Sequence, residues 1–225
     1  MKTKYANTRK LTLFALFLAL ELMLAMTPLG IVRLGVIGAT TLHIPVIVAA
    51  VLLGKGAGAG LGLVFGLTSI LNATLNPTPT AFVFSPFVEF AGVSGGFRSV
   101  IVALVPRVLV GFLSGLVYEG LQKKRWAIAA AAVVGSLTNT VLVLGGIYVF
   151  FGQAYAQVLE VAYEALIGML LTVVATNGAA ELALAVLVCL PVCRALQHVM
   201  AQLASRRSEI SPVSLKSGGY RYFLR

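Results

Sequence analysis

The chain has 225 residues, of which 59% are hydrophobic and only 11% charged. Soluble domains carry about 25% charged residues, so this composition excludes a soluble globular protein and leaves no space for a separate soluble domain. The net charge of +10 does not point to nucleic acid, because the basic residues gather in short loops and at the two ends, where membrane proteins carry their orientation signals.

Met1–Lys10 is polar, with Lys2, Lys4, Arg9 and Lys10. Leu11–Leu29 follows as a first membrane span. It is longer than a signal-peptide core and lacks a small-x-small cleavage site, so it reads as retained. Ala15 and Ala19 form a small-xxx-small pair that lets another helix backbone approach, within the bundle or from a partner. Glu21 falls near mid-membrane, where an acid must face protein or a cavity. Gly30–Thr41 reads as an outer loop containing Arg33. His43–Leu53 reads as a short second span with His43 and Pro45 at its outer end; the histidine either bonds a ligand or caps loop backbone. Gly54, Gly58, Gly62 and Gly66 recur every four residues. They stripe one face of the third span, Ala57–Leu75, and predict very close packing against a neighbour. Their order does not match a phosphate-binding loop.

Asn76–Ser99 is a long loop rich in Pro, Gly and Phe, suited either to lie on the membrane interface or to fold over a pocket. The fourth span, Val100–Leu121, contains Arg107 about 10 Å from its start at 1.5 Å per residue. A charge at such depth costs about 2.5–3.5 kcal/mol on insertion scales and marks a functional site by default. Lys123, Lys124, Arg125 and Trp126 follow as an inner anchor. Ala127–Phe150 is the fifth span, carrying Thr138, Asn139 and Thr140, whose polar groups need partners within the membrane.

Val158–Ala175 is ambiguous. It is apolar enough to span, yet Glu160 and Glu164 lie one turn apart and Thr176-Asn177-Gly178 interrupts it. Ala179–Leu196 is the last span, leading to Arg194, Arg206 and Arg207. Seven spans would put this basic end outside, against the positive-inside rule. The preferred fold is therefore an all-α integral membrane protein of six transmembrane helices, with both termini inside and Val158–Ala175 as an outer or re-entrant helix before the last span. Residues 1–203 form one domain, and Ala204–Arg225 reads as a basic, disordered tail. Cys189 and Cys193, one turn apart, read as apolar fillers.

In this topology Arg107, Asn139, Asn177 and Glu181 occupy the outer halves of four segments, near Thr138 and His43. An arginine fork takes a carboxylate through two parallel hydrogen bonds, and an amide both donates and accepts. Together these residues describe a pocket for a small, polar, anionic solute. The competing arrangement is an internal network in which Arg107 pairs with Glu181 or Glu21. No catalytic, metal, cofactor or nucleotide-binding motif appears, so the chain does not read as an enzyme.

The motifs Thr40-Thr41-Leu42-His43-Ile44-Pro45, Leu63-Val64-Phe65-Gly66, Val105-Pro106-Arg107-Val108-Leu109-Val110-Gly111, Ser136-Leu137-Thr138-Asn139-Thr140 and Thr176-Asn177-Gly178 resemble those of the substrate-binding S component of energy-coupling factor (ECF) transporters. The resemblance covers Leu11–Leu196 and is greatest to the pantothenate type, with riboflavin and other vitamin binders related. It implies a six-helix protein of the bacterial cell membrane that binds a vitamin from outside. It also implies partners, a transmembrane T component and two ABC ATPases that supply the ATP hydrolysis, with Ala15 and Ala19 as the docking pair and Asn76–Ser99 covering the pocket. Two other functions fit the residues: a proton-coupled secondary carrier using Glu21 or Glu181, and a membrane scaffold.

Overall fold

The structure is a computed structural model that describes residues 2–27, 30–34, 37–90 and 92–210. Its helices are α1 (Lys2–Ala25), α2 (His43–Leu53), α3 (Lys55–Leu75), α4 (Gly96–Leu121), α5 (Ala127–Val158), α6 (Tyr163–Val173) and α7 (Ala179–Ile210). Among the described residues four helices are long and apolar enough to cross a membrane: Lys55–Leu75, Gly96–Leu121, Ala127–Val158 and the continuous stretch Tyr163–Leu203. The chain is thus a helical, multi-pass membrane protein.

The shortest of the inner helices is the centre of the bundle. α2 has 11 residues, and every one from His43 to Val51 is buried. It packs against α1, α3, α4, α5 and α7, as a helix apolar on all sides must. Gly54 turns the chain from α2 into α3 at φ 98°, a left-handed conformation that glycine adopts without steric cost. Beside this turn the Lys55 ammonium meets the Glu119 carboxylate at 3.0 Å. Lys123, Lys124 and Arg125 are exposed just beyond α4, so this is the charged end of the bundle. Eleven residues rise about 16 Å, against a hydrocarbon thickness of about 30 Å. α2 alone is therefore too short to cross the apolar layer.

The segment before α2 is not a simple loop. Ile31–Leu34 (β1) and Ile37–Thr40 (β2) pair antiparallel, Ile31 opposite Thr40, and the Thr41 N–H donates to the Gly30 carbonyl at 3.0 Å. This hairpin leads into α2, and its ladder pairs the facing backbone groups of the two strands. A second, minimal hairpin, β3 (Glu89–Phe90) with β4 (Val93–Ser94), lies in the loop before α4.

The glycine stripe meets α4. A Cβ on Gly62 would collide with the Arg107 carbonyl, and one on Gly58 would come within 2.7 Å of the Gly111 carbonyl. The two backbones thus touch, as the four-residue spacing predicts, and the contact fixes α4 at the turn that carries Arg107.

One expectation is corrected. Val158–Ala175 is neither a re-entrant element nor a separate outer helix. After a turn in which Glu160 takes φ 57°, α6 runs on through a π-turn at Val174–Gly178 into α7. Thr176-Asn177-Gly178 is absorbed as a bulge rather than a break, because the wider turn accommodates these poor helix formers without interrupting the helix. α7 continues to Ile210, and residues 211–225, most of the expected tail, lie outside the described ones. Cys189 and Cys193 are free and buried in the apolar core, as fillers.

Candidate functional site

Two apolar clusters divide the bundle along its length. One, towards the charged end, includes Ile47, Leu61, Phe65, Val110, Ala132 and Ala185. The other, towards the opposite end, includes Phe82, Val102, Val143, Ile147 and Phe151. Between them on α4 lies Arg107, on α5 lie Ser136, Asn139 and Thr140, on α7 lies Glu181, and His43 opens α2. All six are buried. This polar layer is the candidate site.

Arg107 is held by its neighbour in sequence. Pro106 has no N–H, so the Val102 carbonyl, four residues earlier, loses its helical donor. The Arg107 Nη1 donates to that carbonyl at 2.8 Å. The guanidinium carbon stands 5.4 Å from the Phe65 ring centroid and 5.2 Å from that of Phe84. Both rings are within cation–π range of the guanidinium. Its Nε is buried without a hydrogen-bond partner among the described residues. No carboxylate lies within ion-pair distance of it among them either, the salt bridge found there being Lys55–Glu119.

Glu181 does not close onto Arg107. Its Oε1 accepts the Thr40 N–H and the Thr40 hydroxyl, both at 2.9 Å. Its Oε2 lies 3.3 Å from the Thr140 hydroxyl, whose single proton is shared between it and the Ser136 carbonyl at 3.2 Å. One carboxylate thus joins the β1–β2 hairpin, α5 and α7. The π-turn sets this up: Gly178 sits against the Thr140 side chain, one turn before Glu181.

Asn139 lies on the next stripe of α5. One turn towards the charged end, Gly135 packs against Ile47 and Ser114, and Asn139 stands one turn above it as His43 stands one turn above Ile47. The Asn139 Oδ1 has no donor among the described residues. The His43 ring lies beside the Thr40 backbone, with neither nitrogen in a well-formed hydrogen bond among them.

The other candidates sit apart. The Thr138 hydroxyl donates to its own helix, to the Val134 carbonyl at 2.7 Å; its neighbour Thr140 is the one that reaches Glu181. Asn177 is half-buried on the π-turn, beside the Thr176 hydroxyl. Ala15 and Ala19 are exposed on α1, while Phe17 and Glu21 of the same helix are buried. Glu21 approaches neither Arg107 nor any other hydrogen-bonding group among the described residues. Arg98 is exposed, and the side chain of Arg33 lies outside the described residues.

Sequence reasoning did not select Thr40, Phe65 or Phe84 as site residues. Phe84 arrives from the loop before α4. There a 3-10 turn, Ala81–Val83, is buried, the Phe82 ring meets Phe151 edge-on at 5.7 Å, and the Ser85 hydroxyl bonds that of Thr74 at 2.7 Å. The loop is packed into the bundle mouth over Arg107. The usable signal for Thr40 is the hairpin pattern: two short segments containing β-branched residues, Ile31 and Val32 in one and Ile37 and Thr40 in the other, flank Gly35-Val36, and a two-residue connection beginning with glycine is a hairpin signature.

The family described as ECF transporter, substrate-specific component, matches residues 9–193. The chain is 41% identical over 158 residues to the pantothenic acid transporter PanT of Lactococcus lactis subsp. cremoris, covering 70% of this chain and 76% of that one. It is 26% identical over 216 residues to the pantothenate transporter PanT of Leuconostoc mesenteroides subsp. mesenteroides, covering 91% and 96%. A match through nearly the whole helical bundle, with relatives named as vitamin transporters, places this chain in the family of substrate-specific components of ECF transporters.

Proposed function

We propose that this chain is the pantothenate-binding subunit of an ECF-type importer in a bacterial plasma membrane. It crosses the bilayer six times with both termini inside, the charged end at Lys55, Glu119 and Lys123–Arg125 facing the cytoplasm as the positive-inside rule requires. It takes pantothenate from outside into the layer at Arg107, with His43, Asn139, Asn177 and Glu181 around it. A T component and two ATPases, docked along the exposed Ala15–Ala19 face of α1, drive its delivery inward. The loop packed by Phe82 and Phe84 covers the site.

One observation carries this reading. Arg107 is a buried guanidinium within cation–π range of two phenyl rings, with one donor spent on Val102 and its Nε without a partner among the described residues. Burying a cation unpaired is expensive, so the site is built for an anion to arrive, and pantothenate presents a carboxylate. Purified full-length protein in detergent should bind pantothenate in calorimetry, and liposomes should take it up with ATP only when the T component and ATPases are present. Absence of binding by well-folded protein refutes the substrate.

The buried, unpartnered Glu21 carboxylate favours the second reading, a proton-coupled carrier. That reading predicts uptake by the chain alone, abolished by a protonophore.

A further inference from the structure

Hydrogen-bonding capacity in the buried layer is unevenly filled. A carboxylate offers about four lone-pair positions. Glu181 uses two on Oε1, for Thr40, and one long bond on Oε2, for Thr140. Asn139 Oδ1, on the adjoining stripe of α5, has no donor among the described residues. Unfilled donors in the same layer, among the described residues, are the Nε of Arg107, the Ser136 hydroxyl and the protonated ring nitrogen of His43, and of these Arg107 alone carries a fixed charge. A plain carboxylate entering the layer would satisfy Arg107 and add no donor for the two acceptors. A molecule that carries an anion at one end and O–H or N–H donors further along fills all three.

We propose that Glu181 Oε2 and Asn139 Oδ1 read hydroxyl or N–H donors on the uncharged part of the ligand, so that this chain selects hydroxylated anions over plain carboxylates of the same shape. The inference rests on the pantothenate reading and deepens it: Arg107 takes the carboxylate, and the α5–α7 acceptors take the two hydroxyls. Thr40 and Thr140 keep the Glu181 carboxylate in place and prevent it from swinging onto Arg107. A site that presents buried acceptors to a hydroxyl rejects the analogue lacking it, because those acceptors are then left unpaired.

The test compares pantothenate with N-(3,3-dimethylbutanoyl)-β-alanine, which keeps the carboxylate, the amide and the branched carbon and lacks both hydroxyls. With the purified full chain the dideoxy compound should bind roughly 100-fold or more weakly, at about 10- to 100-fold per hydroxyl. Glu181→Gln and Asn139→Leu should weaken pantothenate about 10-fold or more while leaving the dideoxy compound nearly unchanged, so that both variants lose discrimination. Equal binding of the two ligands by the wild-type chain, which needs no variant to fold, overturns the proposal and leaves the pantothenate reading standing. Variants that lose both ligands equally also overturn it. A wild-type chain that binds neither ligand overturns both readings.

Discussion

Replacing Arg107 by glutamine tests the anion site most directly. The Gln side chain is two bonds shorter, so its amide nitrogen falls near the position of Nε and the Nη1 bond to Val102 is lost. Also lost are the charge, the second donor edge and the cation–π contacts with Phe65 and Phe84. Truncating one member of a buried, hydrogen-bonded charge pair costs about 2–5 kcal/mol. At about 1.4 kcal/mol per tenfold, pantothenate should bind roughly 30- to 4,000-fold more weakly. Arg107→Lys keeps a point charge and forfeits the fork. With one charge-assisted bond fewer, at about 1.5–3 kcal/mol, it should fall roughly 10- to 150-fold. The assay is titration calorimetry in detergent, with size-exclusion profile and Tm confirming fold. The neutral alcohol pantothenol is the control: it should bind the wild-type chain weakly and the Arg107→Gln chain about equally. If Arg107→Gln binds pantothenate within about threefold of wild type, or weakens pantothenol as much as pantothenate, the carboxylate is not at Arg107.

Three further outcomes are expected. Gly62→Val places a branched side chain against the Arg107 carbonyl and Val108; overpacking of about 1–3 kcal/mol or more should lower Tm and displace Arg107, weakening binding even where the protein still folds. Thr140→Val removes the hydroxyl that Glu181 shares with the Ser136 carbonyl and should weaken pantothenate several-fold, whereas Thr138→Val, whose hydroxyl donates to its own helix, should leave calorimetric affinity unchanged. Ala15→Leu with Ala19→Leu enlarges two exposed positions: pantothenate binding by the isolated chain should persist, and ATP-driven uptake with the T component and ATPases should fall sharply.

How much of this was legible in the sequence varies by residue. Arg107 announced itself, because a charge inside an apolar run has no cheap explanation. The Gly54–Gly66 stripe did too, since a four-residue repeat specifies a helix face whatever the neighbour. The choice between Thr138 and Thr140 was not legible. Successive residues point about 100° apart, and a helix apolar on all sides gives no polar face from which to set the phase. The role of Pro106 was hidden for a different reason: it acts through a carbonyl it fails to bond, which only the rotamer of Arg107 reveals. The run Thr176-Asn177-Gly178 looked like a break because its residues are poor helix formers, and a π-turn uses the same residues without breaking the helix.

The separation of Arg107 from Glu181 ties these strands together. Had the two closed into an ion pair, an arriving carboxylate would have to displace an internal one, and the gain from the new contact would largely cancel the loss of the old. Instead Glu181 is tethered by Thr40 and Thr140, and Arg107 is held by Val102 and the two rings. Each charge is fixed by neutral partners before any ligand arrives, so binding need not rearrange either one, which is how preorganisation raises affinity. The arrangement depends on elements that look unrelated in sequence. The hairpin brings Thr40, the π-turn aims Glu181, the proline frees Val102, and the glycine stripe fixes the turn of α4 that carries Arg107.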